Sequence, residues 1–322
     1  MTRWLAGRVL QAVATWAVAV ALLFFVMRLV PGDPLARRAA DRPLPPGAAD
    51  ALRHLYGLDR PLLAQFGAFV QGVARGDLGV SIAYGRPVTA LIAERLPATL
   101  LLAAVALLLN FSLGLWLGVR QALARGGRLD RWLGAGALVA YSLPAFWIGL
   151  VFVWVAALRW PLFPPGGMAD PLLGAGAPWS ARALDVMRHL VLPALTLTLG
   201  TIAVTMRHQR SALLEVLDAD WVRTARAKGV AESAVVRRHA WRTALGPVIT
   251  LAGLSLPALV AGAVFTEAVF AWPGLGSLAA DAVTARDYPL AMGCAALVAL
   301  AVVLGNLVAD VAHAALDPRV RP

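Results

Sequence analysis

The alternation of apolar and polar positions divides the chain into six long stretches without a single Asp, Glu, Lys or Arg. They cover 9–27, 96–119, 132–158, 189–206, 243–266 and 288–309. Each is about 18 residues or longer, close to the ~20 residues that cross the hydrocarbon of a bilayer as a helix. In lipid every backbone N–H and C=O must be satisfied inside the segment, which leaves the helix as the form for each stretch. The pattern predicts an all-α polytopic membrane protein with six transmembrane helices, at about 9–30, 96–119, 132–158, 189–206, 246–268 and 288–312, in a single transmembrane domain over 1–322. Pro144, Pro193 and Pro257 fall inside these stretches. They predict kinks or local unwinding, because proline lacks an N–H and crowds the preceding turn. The first stretch reads as a retained span: its apolar core exceeds the usual ~7–15 residues of a signal peptide, and no small-residue cleavage site follows it.

The polar segments carry patterns of their own. In the external insertion 31–95, Asp59 and Pro61 mark a helix start, and Leu62, Phe66, Phe69 and Val73 share one apolar face. This helix is expected on the outer surface of the bundle or at the membrane interface. Residues 161–178 are rich in Gly and Pro and predict an external loop. The segment 207–245 has too many charges to cross a membrane and reads as helix, glycine, helix. Leu217, Trp221 and Ala225 recur at spacing four, Gly229 stands where a left-handed cap ends a helix, and Ser233 can start the next, with Val236 and Ala240 inward. A short basic two-helix element held between spans suits docking on a partner at the membrane face. Basic loops of this kind also serve simply to fix topology and to touch lipid phosphates.

Composition sharpens the picture. Of 322 residues 60% are hydrophobic and only 15% charged, against about 25% charged in a soluble domain. The net charge of +11 comes almost wholly from arginine, Lys228 being the lone lysine. A basic balance can signal nucleic acid, but here it is explained by loops beside anionic lipid. Arg120, Arg125, Arg128 and Arg131 crowd the short loop after the second stretch. From Arg207 to Arg242 there are eight basic and four acidic residues, whereas Glu267, Asp281, Arg286 and Asp287 leave the segment after the fifth stretch at −2. Arginines also flank both termini, so the positive-inside rule predicts both termini and the 207–245 loop on the cytoplasmic side.

Several chemistries are excluded. The lone lysine follows Ala227, so no Gly-Lys-Ser/Thr phosphate loop exists. The five histidines are scattered without metal-ligand spacing, and no nucleophile elbow occurs. The sequence predicts no catalytic residue, no metal and no cofactor in this chain. No carboxylate or lysine lies inside a span, although such a residue usually marks an ion path or proton relay. This disfavours a proton-coupled carrier and leaves open a secondary transporter built on backbone carbonyls. Cys294 lies in an apolar stretch and reads as a packing residue. A bundle with no energy source of its own and an element suited to docking implies that energy arrives from a partner.

Nine short motifs, in order and spacing, carry a resemblance. They are Pro31-Gly32-Asp33-Pro34, the run from Tyr56 to Pro61, Arg75-Gly76-Asp77-Leu78-Gly79, the run from Glu94 to Thr99, that from Ser142 to Trp147, Leu192-Pro193-Ala194, that from Trp221 to Gly229, that from Phe270 to Gly276, and Leu316-Asp317-Pro318-Arg319. Nearly end to end, the chain resembles the permease subunits of bacterial ATP-binding-cassette importers of the dipeptide/oligopeptide/nickel group, in particular the first of the paired permeases. The resemblance implies a type I importer permease fold with a cytoplasmic coupling helix. It implies a role for 207–245 as the coupling loop, with Trp221, Arg223, Thr224, Ala225, Lys228 and Gly229 at the contact with an ATP-hydrolysing subunit. The family's Glu-Ala-Ala…Gly signature falls on Arg223, Thr224, Ala225 and Gly229, so the Glu and the first Ala are replaced here.

The resemblance also implies partners: a second related permease, two cytoplasmic ATP-binding subunits that hold the ATP and magnesium, and an extracytoplasmic solute-binding protein. The expected setting is the bacterial inner membrane. Peptides are the expected cargo, and nickel, glutathione, heme precursors and sugars occur among related systems. No residue is assigned as a substrate ligand. Trp272, Pro273 and Gly274 form a simple turn at the external mouth, a gate or a contact with the binding protein. Read from residues alone, Ala225 and Gly229 remain a packing alanine and a helix cap, and Trp221 a core or interface residue. The rival reading is an ion-coupled secondary transporter that needs no ATPase.

Overall fold

A computed structural model describes residues 2–29, 47–174 and 176–316. The motif at Pro31–Pro34 and the end of the last motif, Asp317–Arg319, lie outside them. The described residues are helical throughout, apart from turns, loops and one isolated antiparallel bridge between Val80 and Pro87. The helices are α1 (Thr2–Leu29), α2 (Ala48–Leu55), α3 (Leu62–Ala74), α4 (Val88–Leu123), α5 (Arg128–Ser142), α6 (Ala145–Phe152), α7 (Trp179–Leu217), α8 (Asp220–Ala227), α9 (Gly246–Val269), α10 (Leu275–Thr284) and α11 (Tyr288–Leu316). A short broken helical run, Glu232–Ala234, Val235–Ala240 and Trp241–Ala244, precedes α9. Among the described residues four helices are long and apolar enough to cross a membrane, and a fifth span results if α5 and α6 with its continuation to Arg159 count as one. The apolar stretch 243–266 corresponds to α9, a helix of 24 residues.

The helices outrun the apolar stretches that predict them. The 39 residues of α7 make a rod of about 59 Å, roughly twice the hydrocarbon thickness. Its last 11 residues, from Arg207 to Leu217, lie beyond the apolar stretch and carry the next element about 16 Å further out. The three prolines named above behave differently. At Pro144 the chain does not kink but breaks. Leu143 is extended at φ −84, ψ 137, as steric conflict with the following ring demands, and the helices on either side meet at 101°. Pro193 sits within the unbroken α7, where Thr196 and Thr198 Oγ1 donate to Leu192 O and Ala194 O at 2.8 and 2.7 Å. Pro257 lies within α9.

The chain forms two compact units. The first comprises residues up to Leu100 together with Pro273–Leu307. Its core is Val88, Leu91, Ile92, Leu275, Leu278, Leu290 and Cys294 among others. The predicted face of α3 packs on α1, with Phe66 and Phe69 against Phe24 at ring distances of 5.3 and 5.8 Å. Buried Asp287 holds two segments at once. Its carboxylate accepts the Leu290 N–H at the start of α11 at 3.1 Å, a capping contact. It also accepts the Ser81 hydroxyl and, at 2.9 Å, the Ala83 N–H of the turn before α4.

The second unit, Leu101–Trp272 and Val308–Pro322, is arranged around α7. There α4 presents Asn110, Gly114 and Gly118, one turn apart, to Thr205, Met206 and Gln209. A Cβ at Gly114 would stand 2.9 Å from Thr205 Cγ2, and one at Gly118 2.7 Å from Met206 O. Glycine at this spacing is what close approach of two membrane helices requires. Asn110 Nδ2 donates to Thr205 Oγ1 at 3.1 Å within the same seam. Gly118→Leu is therefore expected to force α4 and α7 apart, at a cost of about 1–3 kcal/mol or more. A lowered melting temperature and loss of monodispersity in detergent would report it, and an unchanged melting temperature would contradict the seam.

Candidate functional site

The segment between α7 and α9 folds as helix, glycine, helix, with a register the periodicity did not foresee. The predicted stripe of Leu217, Trp221 and Ala225 does not form, because the chain turns at Asp218 and Ala219 and leaves Leu217 as the last residue of α7. Within α8 the fully buried side chain is Val222, Ala225 is half-buried, and Trp221 is 45% exposed. The second helix starts at Glu232 rather than Ser233, with Val235 and Ala240 fully buried and Val236 half-buried. Ala240 joins Ala212, Leu213, Ala244 and Ala122 of α4 in one small core beneath the element.

Gly229 closes α8 with a complete C-terminal cap. Its N–H donates to Arg226 O at 2.9 Å, and the Val230 N–H reaches back to Ala225 O at 3.3 Å, the paired bonds of a Schellman turn. Gly229 has φ +77, and nothing stands within 4 Å of a Cβ built there. Within this chain the demand for glycine is thus conformational, not steric. The residues around the cap, Arg223, Thr224, Lys228 and Gly229, are exposed. Thr224 Oγ1 donates to Asp220 O at 3.0 Å, and Arg223 pairs with Asp220 at 3.4 Å.

Ion pairs brace the element. Arg226 Nε and Nη2 donate to the two oxygens of Glu232 at 2.9 and 2.6 Å, and Nη1 reaches Leu217 O at 3.4 Å. One guanidinium thereby joins the end of α7, α8 and the helix that follows. The hydrogen bonds to Arg226 hold the Glu232 carboxyl below its ordinary pKa, and those to Glu232 raise that of Arg226. A second brace comes from the loop after α4. Arg210 of α7 donates to both oxygens of Asp130 at 3.0 and 2.8 Å, Gly126 N–H adds a bond to the same carboxylate at 3.0 Å, and Arg125 pairs with Asp218 at 3.1 Å. The fork geometry makes the Asp130–Arg210 contact the most directional of these. Sequence reading treated Arg125 and Arg210 only as topology charges and passed over Asp130. The signal available was a carboxylate alone among four arginines, and its partner lies 80 residues away.

The residues proposed for the external mouth follow a tight turn at Phe270 and Ala271. Phe270 N–H donates to Thr266 O and Trp272 N–H to Glu267 O, while Ala271 takes φ +46. Trp272 is fully buried, Gly274 is buried and Pro273 is half-buried. Phe270 O accepts the Gly167 N–H at 2.8 Å, which pins the Gly/Pro loop to the turn. A side chain at Gly166 would collide with the same carbonyl at 2.6 Å. Gly274 N-caps α10, where Leu275 N–H donates to Thr99 Oγ1 at 2.7 Å.

Residues 111–322 match the family described as binding-protein-dependent transport system inner membrane component, and residues 1–103 match its N-terminal companion. The chain belongs to this family. It is 38% identical to a di/tripeptide transport system permease protein of Pseudomonas aeruginosa, over all of this chain and 99% of that one. It is 35% identical to the dipeptide transport system permease protein of Escherichia coli K12 at the same coverage. Among solved structures, a chain of the MetNI methionine ABC transporter in an inward facing conformation superposes with a TM-score of 0.56 at 21% identity, over 70% of this chain and 96% of that one. This likeness shows the permease fold. As a member of the family, the chain is a multi-pass membrane permease of a binding-protein-dependent importer, and the ion-coupled secondary transporter is set aside.

The Arg226–Glu232 brace makes a pH prediction. Because the carboxyl's pKa is depressed in the fold, the brace is intact above the ordinary glutamate range, ~4.3, and is lost as pH falls through the depressed value. Amide exchange over 219–235, corrected for intrinsic rates, should stay constant from neutral pH down to that range and rise below it. In Glu232→Gln it should be raised already at neutral pH. Identical exchange in both proteins at neutral pH would remove the brace from the account.

Proposed function

We propose that this permease is the first of two paired permeases of a peptide importer, and that di- and oligopeptides delivered by an external solute-binding protein cross between it and its partner. The observation that carries the peptide reading is end-to-end similarity, at 35–38% identity, to permeases named for dipeptide and di/tripeptide transport. Two cytoplasmic ATP-binding subunits hold the ATP and magnesium, and this chain holds no cofactor and no catalytic residue of its own. Both termini and the α7–α9 segment face the cytoplasm, by the distribution of arginine.

In this reading α8 is the coupling helix. Trp221, Arg223, Thr224, Ala225, Lys228 and Gly229 meet a groove of one ATPase. The support is geometric: a capped helix with its basic face exposed, braced by Arg226 onto the end of a 39-residue rod that Asp130 of α5 grips at Arg210. A push on a short stiff element is delivered to α7 without being absorbed by a flexible loop, and rigid-body motion of spans is how such transporters alternate access. Trp272, Pro273 and Gly274 stand at the outer mouth.

Two roles of Gly229 can be separated. Asparagine tolerates the left-handed conformation, so Gly229→Asn keeps the cap while adding a side chain at the docking face. In proteoliposomes holding the full complex, ATP-dependent dipeptide uptake is expected to fall by roughly 5–150-fold, the range of coupling free energies of about 1–3 kcal/mol. Basal ATP hydrolysis and the amount of folded complex should persist. Undiminished uptake would reduce Gly229 to a helix cap, and uptake driven by an ion gradient without ATP would overturn the importer assembly.

A further inference from the structure

The loop after α4 leaves an open cavity of about 470 Å³ between α5 and the end of α7, lined by Gln121, Asp130, Arg131, Arg207, Arg210 and Ser211. Its charges do not balance. Asp130 is committed to Arg210, whereas Arg131 and Arg207 are exposed and lack a carboxylate partner among the described residues. At the base, Gln121 is 5% exposed. Its Nε2 donates to Asp130 O at 3.1 Å, while Oε1 is buried without a partner. The cavity thus offers two uncommitted guanidiniums for an anion.

Its depth identifies the source of that anion. Arg131 directly precedes the apolar stretch that opens with Trp132, and Arg207 directly follows the one that closes with Met206. Both arginines therefore stand at the first position outside hydrocarbon, which is headgroup level. Trp132 beside them is 76% exposed, and Leu138 and Val139 further along α5 are exposed as well. An exposed tryptophan at the end of an apolar helix is the usual anchor at the interface. A soluble protein partner would meet arginines further from the membrane, as on α8.

We propose that this cavity is a binding site for an anionic phospholipid. The phosphate sits between Arg131 and Arg207, and the acyl chains run along Trp132 and the outer face of α5. Occupancy would hold the Asp130–Arg210 brace from its open side, tying the lipid to the same contact that supports the coupling element.

Native mass spectrometry of the full-length chain, with phosphatidylglycerol and phosphatidylcholine of matched acyl chains, tests the site. Phosphatidylglycerol is expected to be retained in preference, and Arg131→Gln and Arg207→Gln to weaken it about fivefold each, the factor that corresponds to ~1 kcal/mol per arginine near an anionic surface. The lysine variants Arg131→Lys and Arg207→Lys keep the charge and should keep the lipid, which separates loss of the site from loss of the fold. Arg188→Gln, at the other end of α7, should change nothing. Equal retention of both lipids, or full retention by the double Gln variant, overturns the proposal. So does displacement of phosphatidylglycerol by millimolar inorganic phosphate, which would mark a free-anion site. If the double Gln variant keeps its lipid and instead loses the ATP-binding subunits on co-purification, the patch is a protein contact and the lipid assignment is wrong.

Discussion

The close contact between α4 and α7 is the constraint on which the rest of the second unit depends. Inside a bilayer, apolar side chains gain nothing by leaving lipid for one another, so helices associate where small residues allow backbone to approach backbone and where a polar pair is satisfied between them. Gly114 and Gly118 meet the first half of that condition, with Thr205 and Met206 filling the space their missing side chains leave, and Asn110 Nδ2 adds one bond to Thr205 across the seam. Once α4 is locked to α7, the short loop after α4 has little choice of position. It reaches the flank of α7, and there Asp130 finds Arg210 and Arg125 finds Asp218.

This geometry gives the segment between α7 and α9 its stiffness. Without a brace, an eight-residue helix on a charged loop would be marginal, because helices this short gain too little from their own hydrogen bonds. Here α8 is held by a buried Val222, by the Gly229 cap and by Arg226 spanning three segments. The ion pairs are exposed to different degrees. Surface pairs contribute little to stability, so their value is positional. They fix α8 to the end of α7 through directional bonds.

The lipid cavity extends the same logic. A permease must keep its helices mobile enough to alternate access, yet anchored at the level where hydrocarbon gives way to headgroups. Arginines just outside two apolar stretches, with an interfacial tryptophan between them and lipid, provide an anchor whose strength depends on the charge of the leaflet. In that proposal a membrane property stands next to the Asp130–Arg210 contact.

That the chain is an all-helical, multi-pass bundle was legible in the sequence, because hydrophobic length answers to the bilayer, a solvent whose demands are one-dimensional. The helix, glycine, helix form of the segment between α7 and α9 was legible too, since a Schellman cap is a local event and Gly229 announces it. The register of α8 was not. Whether Trp221 or Val222 turns inward depends on where the chain breaks after Leu217, and that is set by the core formed with Ala122, Ala240 and Ala244. Pro144 as a disturbance could be read from the chain, but not that it would bend the path by 101° while Pro193 stayed inside an unbroken helix. The pairing of Asp130 with Arg210 and the burial of Trp272 belong wholly to the tertiary structure. They join or enclose residues far apart in sequence, and only packed helices decide which distant side chains share one place.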